Sequence, residues 1–261
     1  MNFHRVFAMV QRYFYNLKHS YDRLSDMFYW PIMDLLLWGL TGIYFASLNP
    51  KAPFTITVIL TGLIFWIITW RAQYEITTNL LAEMWDRNLV NIFASPLTVY
   101  EWLTSVIIFG GIKMIVSLAF SATIAFILYR YAFFQFGWWL IPVVINLIIT
   151  GWAAGFCVAA IIIRFGMKVQ TIAWGGAYLL APFSAIYYPL SVLPHWAQKI
   201  ALFFPTSYIF EAMRQHIFTG TISLEKIIIS FALNALYLVL SICLFVFMFK
   251  KSKKLGLGRL I

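Results

Sequence analysis

Three residues with a charge or a strong dipole interrupt otherwise apolar runs: Asp34, Lys113 and Asn146. A polar group in such a run is costly in lipid, so each is expected to face protein or a water-filled path. Lys113 lies about 16 Å along a helix from Trp102, near the middle of a hydrocarbon core of about 30 Å. Two roles are open to it: contact with an anionic or polar group of a transported molecule, or a fixed bond between helices. Asn146 falls at similar depth in the next run and is its expected neighbour. Gly110 and Gly111 beside Lys113 leave room for close helix approach, as do Gly151, Gly155, Gly175 and Gly176 elsewhere. Asp34, about 6 Å from Trp30, is expected to pair with a mobile Lys or Arg at the membrane boundary.

At different depths, Asp34 and Lys113 make no acid–base pair. The chain has no GxxxxGK[ST] loop, no HExxH, no CxxC and no GxSxG elbow, so the usual phosphate cradles, zinc sites and hydrolase nucleophiles are not expected. His4, His19, His195 and His216 fall two on each side of the membrane in the layout below, so no shared metal site is expected. Cys157 and Cys243 sit inside apolar runs and read as small buried hydrophobes. These residues point to a scaffold or a path, not to an enzyme.

The elements that hold these residues are membrane spans. Of 261 residues, 62% are hydrophobic and 11% charged, against roughly a quarter charged in soluble domains. Six spans are expected: Trp30–Leu48, Phe54–Trp70, Trp102–Tyr129, Gly137–Ile163, Ile172–Tyr188 and Ile227–Phe249. The connection Asn49-Pro50-Lys51-Ala52-Pro53 reads as a tight turn outside the membrane, and Arg164 to Gln170 as a small basic loop. Six spans place both termini on one side. That side would carry thirteen Lys and Arg and the far side five (Lys51, Arg130, Lys199, Arg214 and Lys226). The positive-inside rule therefore makes the termini cytoplasmic in a plasma (inner) membrane. The net charge of +10 is accounted for by this placement, with no nucleic-acid partner. No cleavable signal peptide is expected, and no internal repeat of the kind found in inverted-repeat transporters is visible.

Residues 1–28 form an amphipathic pattern. Phe3, Val6, Phe7, Val10, Phe14, Leu17, Tyr21 and Leu24 share a face, with Arg5, Arg12, Lys18 and Arg23 mostly off it. An interfacial helix on the bilayer is expected. A second amphipathic helix is expected over about 79–95. Leu80, Leu81, Met84, Trp85, Leu89, Ile92 and Phe93 recur at intervals of three and four, with Glu83, Asp86, Arg87, Asn88 and Asn91 opposite. Ser95-Pro96 ends it. Beyond the fifth span, the outer segment is apolar yet chopped by Pro189, Pro194 and Pro205. A short hairpin dipping into the outer leaflet over about 189–208 is expected, because non-helical backbone at membrane depth needs protein cover. Tyr187, Tyr188, Trp196 and Tyr208 equally suit an aromatic belt. Residues 251–261 read as a basic cytoplasmic tail.

The stretch WDRNLVNIFASPLTVYEWL resembles the segment after the second span in permeases of the type-2 ATP-binding-cassette (ABC) exporter family. There a charged turn is followed by an apolar pair, Ser-Pro or Thr-Pro, and an acidic residue. The stretch APFSAIYYPLSVLPHWAQKIALFFPTSYIFEAMR, ending at Arg214, is similar to the family's other hallmark. The resemblance implies a coupling helix seated in a groove of a separate ATPase. Trp85, Leu89, Ile92 and Phe93 would enter that groove, Asp86 and Arg87 would set register, and Ser95 and Pro96 would close the helix. It implies a homodimer with two ATPase subunits, which would hold the ATP and Mg; this chain would hold no cofactor. It also implies an outer gate near Tyr187, Tyr188, Pro189, Leu193, Pro194 and Trp196, and an amphipathic substrate: a lipid-linked glycan, a lipid or a hydrophobic drug. Lys113 and Asn146 would line the path. A channel or secondary transporter needing no ATPase is the alternative from another class. An intramembrane lipid-modifying enzyme is the third.

Overall fold

A computed structural model describes residues 1–48, 54–254 and 256, and all regular structure among them is helical. Five helices are long and apolar enough to cross a membrane. These are α3 (Tyr29–Leu48), α4 (Thr55–Trp85), α6 (Val99–Tyr129), α7 (Leu140–Phe165) and α11 (Leu224–Lys254). Shorter helices join them: α1 (Phe3–Lys18), α2 (Tyr21–Ser25), α5 (Leu89–Ala94), α8 (Ile172–Gly175), α9 (His195–Ala201) and α10 (Pro205–Thr219). The expected turn over 49–53 and Arg259 of the expected tail lie outside the described residues. Lys250, Lys251, Lys253 and Lys254 are part of α11 itself, so the helix runs beyond residue 250.

At the bundle's centre, α4 packs against α3, α6 and α7. A Cβ at Gly151 of α7 would sit 2.5 Å from both the Ala72 Cβ and the Thr69 carbonyl, so only glycine permits that approach of α4 and α7. Gly110 does the same for α6, where a Cβ would meet the Glu75 Cβ at 2.7 Å; Gly111 faces open space. Helix α1 and the C-terminal turns of α11 lie at one end of the bundle, here called basal. Phe93 meets Phe249 at 4.7 Å between ring centroids, and the Ser252 hydroxyl donates to the Ile163 carbonyl at 2.6 Å. On the same end, α1 lies against α6. Its Val6, Val10, Tyr13 and Leu17 turn inward, while Phe3, Phe7 and Phe14 remain exposed. The expected single apolar face is thus two stripes, one packed on protein and one left open. The expected helix over 1–28 is broken at His19-Ser20, where Ser20 caps α2.

Three expectations need correction. The second apolar run does not stop at Trp70. The helix continues to Trp85, 31 residues in all, because nothing between Trp70 and Asn79 breaks it and its polar residues find partners inside the bundle. The amphipathic helix over 79–95 is therefore two pieces: the last turns of α4, buried on all sides up to Met84, and the six-residue α5. Between them Arg87 adopts φ 52. The Asn88 N–H donates to the Glu83 carbonyl at 2.9 Å and the Arg87 N–H to the Met84 carbonyl at 3.0 Å. That pair of bonds is a Schellman helix end with arginine where glycine usually sits. Third, Ile172–Tyr188 is not a continuous helix. It consists of α8, single 3-10 turns at Ala177–Leu179 and Ala181–Phe183, and a kink at Ala185 with φ 54. Gly175, Gly176 and Pro182 weaken any helix there. The segment still runs antiparallel along α4, from Thr77 to Gly62, which is about 22 Å of helix axis.

Candidate functional site

The freed backbone of the broken segment is held by α4. The Gln73 amide donates to the Ala173 carbonyl at 2.9 Å and accepts from the Ala177 N–H at 3.1 Å. The Thr77 hydroxyl is 2.9 Å from the same Ala173 carbonyl. Further along, the Arg214 guanidinium donates to the Ala185 carbonyl at 2.6 Å and pairs with Glu211 at 2.6 Å, and Glu211 accepts the Leu190 N–H at 2.8 Å. Irregular backbone survives in a membrane bundle when protein satisfies its donors and acceptors in this way.

Lys113 is nearly buried and pairs with Glu75 of α4 at 2.6 Å. Glu75 lies 3.7 Å from Arg71, whose guanidinium pairs with Asp26 at 2.7 Å. Arg71 is fully buried and lies over the Trp70 and Tyr74 rings. Two cations and two anions thus form one neutral chain across α4, α6 and the α2–α3 corner. The expected neighbour Asn146 is not part of it. Glu75 stands in its place, since α4 extends past Trp70. Along their helices, Arg71 lies about 24 Å from Thr55 and Lys113 about 24 Å from Tyr129.

Asn146 belongs to a second, uncharged cluster. Its amide oxygen accepts from Asn234 at 2.8 Å and lies 2.8 Å from the Ser230 hydroxyl, while Thr150 donates to Asn234 at 2.9 Å. Ser230 also lies 2.7 Å from the Pro205 carbonyl, and Tyr237 donates to the Phe203 carbonyl at 2.8 Å. The α9–α10 connection therefore reaches about 9–20 Å down α11 from Leu224. The second arm of this hairpin, α10, runs on to Thr219.

At the basal corner, Leu89, Ile92 and Phe93 are buried in the chain's own core, against Trp102 and Phe249 among others. They are not free to enter a partner's groove, contrary to expectation for Leu89, Ile92 and Phe93. The exposed residues from Asp86 to Pro96 are Asp86, Arg87, Val90, Asn91, Ala94, Ser95 and Pro96. Trp85 is 44% exposed, stacks on Trp174 and donates to Gln170 at 3.1 Å. The corner is tied down from behind. Arg12 clasps Glu83 through two bonds of 2.7 and 2.8 Å, Arg5 donates to the Pro96 carbonyl at 2.5 Å, and Tyr13 accepts from Trp102 at 2.9 Å. Burial pushes the Tyr13 phenol well above its ordinary range, keeping it neutral. Glu101 closes a capping box with Thr98 and accepts the Asn2 N–H at 2.7 Å. The Thr98-x-x-Glu101 spacing could have shown that box in advance.

Among the outer residues, Tyr187 stacks on Trp38 at 4.8 Å and Tyr188 donates to the Pro182 carbonyl at 2.7 Å. Pro189 leads into a short turn closed at Leu193, Pro194 opens α9, and Trp196 is 63% exposed, edge-on to Phe183. Tyr187 also borders a cleft of about 910 Å³ between α3, α4 and the broken segment. Asp34 opens onto this cleft. No hydrogen bond or ion pair joins its carboxylate among the described residues, so the expected Lys or Arg partner is not there. Cys157 is half-buried and Cys243 exposed on α11, contrary to the buried reading of both. No group of His, Cys, Asp and Glu among the described residues has the makings of a metal site. No protein-family model matches the chain, and no significant match to a curated protein is found.

Proposed function

We propose that this chain is the membrane permease subunit of an ATP-driven exporter. It would move an amphipathic molecule outward across the plasma (inner) membrane, with ATP and Mg bound by a separate ATPase. In this reading the chain crosses six times, five times as a continuous helix and once as the broken Ile172–Tyr188 segment. The basal end is cytoplasmic, α9–α10 is a re-entrant hairpin at the outer exit, and a second copy completes the pathway. The observation that carries the reading is the basal corner. A short helix stands at the end of the long helices, with Val90, Asn91 and Ala94 exposed beside the charged turn Asp86–Arg87, and its buried Phe93 packs on Trp102 of α6 and Phe249 of α11. Such a corner transmits a push to the spans instead of absorbing it.

The ATPase would contact Asp86, Arg87, Val90 and Asn91. Its second contact would be a shallow groove of about 370 Å³ between α1 and α5, with Arg5 and Arg12 on one wall. Charges at such a rim set orientation and register more than affinity. The test is co-reconstitution with a candidate ATPase subunit carrying a GxxxxGK[ST] loop, sought first among the neighbouring genes. Arg87→Glu is expected to abolish ATP-driven transport while the chain still inserts and stays monodisperse. Normal coupling in that variant would refute the docking surface.

One observation favours a second reading. The buried Asp26–Arg71–Glu75–Lys113 chain is of the kind found on proton or ion pathways, which suits a secondary transporter. Transport by the chain alone in liposomes, driven by an ion gradient, would select that reading.

A further inference from the structure

We propose that the cleft between α3, α4 and the broken segment binds a lipophilic organic cation, with the Asp34 carboxylate as its charge partner. The inference deepens the transport reading and rests on it only for the step from binding to movement. At about 910 Å³ the cleft would hold a drug-sized molecule. It follows α4 from Tyr74 to Leu63, about 16 Å of axis, so an elongated amphipath fits its long dimension.

The wall chemistry selects the charge. Trp30, Trp38, Trp66, Trp70, Tyr178 and Tyr187 all border the space. Aromatic faces are electron-rich and attract cations, most strongly where water is scarce. The acidic and basic side chains on the wall are all aspartates: Asp22, Asp26 and Asp34. No Lys, Arg or His borders the space among the described residues. Asp26 is already neutralised by Arg71, and that guanidinium is fully buried behind Trp70 and Tyr74. Among the described residues Asp34 has no such partner. It lies about 7 Å up α3 from Tyr29, on the wall of the cleft that Tyr178 and Tyr187 also line. A carboxylate in an apolar cleft is costly until a positive charge meets it. A bound cation would supply that charge and stack on the rings. An anionic or neutral molecule of the same shape would leave it unmet. A small metal ion would leave the aromatic wall unused.

Tetraphenylphosphonium and tetraphenylborate share shape and size and differ in the sign of charge. Both would be titrated into the full chain in phosphatidylglycerol nanodiscs, with quenching of tryptophan fluorescence as the readout. Saturable binding of the phosphonium is expected, at least about tenfold tighter than the borate. Asp34→Asn should weaken the phosphonium at least about tenfold, and Asp34→Glu should retain binding within about threefold. Should Asp34→Asn fail to fold, Trp38→Leu gives a second test, with an expected loss of about threefold. Equal binding of the two ions, or an Asp34→Asn variant that binds like the parent, would overturn the proposal. Loss of phosphonium binding on adding phosphatidylcholine would give the site to a lipid headgroup and overturn the free-cation assignment. Failure here is separable from failure of the permease reading. Absent phosphonium binding in a chain that still couples to its ATPase removes the site alone.

Discussion

Two of the buried polar clusters of this bundle differ in charge and in distance from the distal helix ends. The Asn146–Thr150–Ser230–Asn234 cluster joins α7 to α11 with neutral groups only. It lies about 9–15 Å from the distal ends of those helices. The Asp26–Arg71–Glu75–Lys113 cluster joins α4, α6 and the α2–α3 corner with four full charges, about 24 Å or more from the distal ends of α4 and α6. The pairing within each cluster follows the cost of its groups. A neutral amide needs only partners in lipid, whereas a charge also needs either a counter-charge or nearby water.

The contrast can be broken at either cluster. Arg71→Ala should have the largest effect, because it strands Asp26 and leaves the cluster with a net negative charge. A loss of about 3–5 kcal/mol is expected, read as a collapse of the unfolding midpoint in detergent or loss of the monodisperse peak. Lys113→Met should cost somewhat less, about 3 kcal/mol. Adding Glu75→Gln to it should restore more than half of that loss, since the Arg71–Asp26 pair remains balanced. A double mutant as unstable as the single would mean that Lys113 acts through something other than Glu75. In the neutral cluster, Asn234→Leu removes bonds without stranding a charge, so about 1–2 kcal/mol is expected in the same unfolding assay. Thr98→Ala, which opens the capping box at the start of α6, should cost about 1 kcal/mol. A neutral-cluster variant that destabilises more than Arg71→Ala would reverse the ordering and remove the charge argument.

Legibility in the sequence varied with how local the determining interaction is. The long apolar helices are plain from composition, and α3, α6 and α11 begin or end within a few residues of expectation. The end of α4 was not plain. The three-and-four spacing of apolar residues passes smoothly from Leu80 to Phe93, and no glycine or proline marks Asp86–Asn88. Only the left-handed Arg87 reveals the corner. Glu75 was invisible as Lys113's partner because the two are 38 positions apart and α4 seemed to stop at Trp70. The Arg71–Glu75 spacing of four was the available clue. The break within Ile172–Tyr188 had local signals in Gly175, Gly176 and Pro182. Its compensation did not, because Gln73, Thr77 and Arg214 reach it from elsewhere in the chain. The Asp34 cleft depends on three segments meeting, and no single stretch announces it.

The permease reading stands or falls on where the energy enters. The direct measurement is uptake of a fluorescent amphipath into inside-out proteoliposomes, with and without a candidate ATPase subunit. Movement should appear only when the ATPase and hydrolysable nucleotide are both present, and should vanish with Arg87→Glu. Full-rate movement by the chain alone, with no nucleotide, would contradict it.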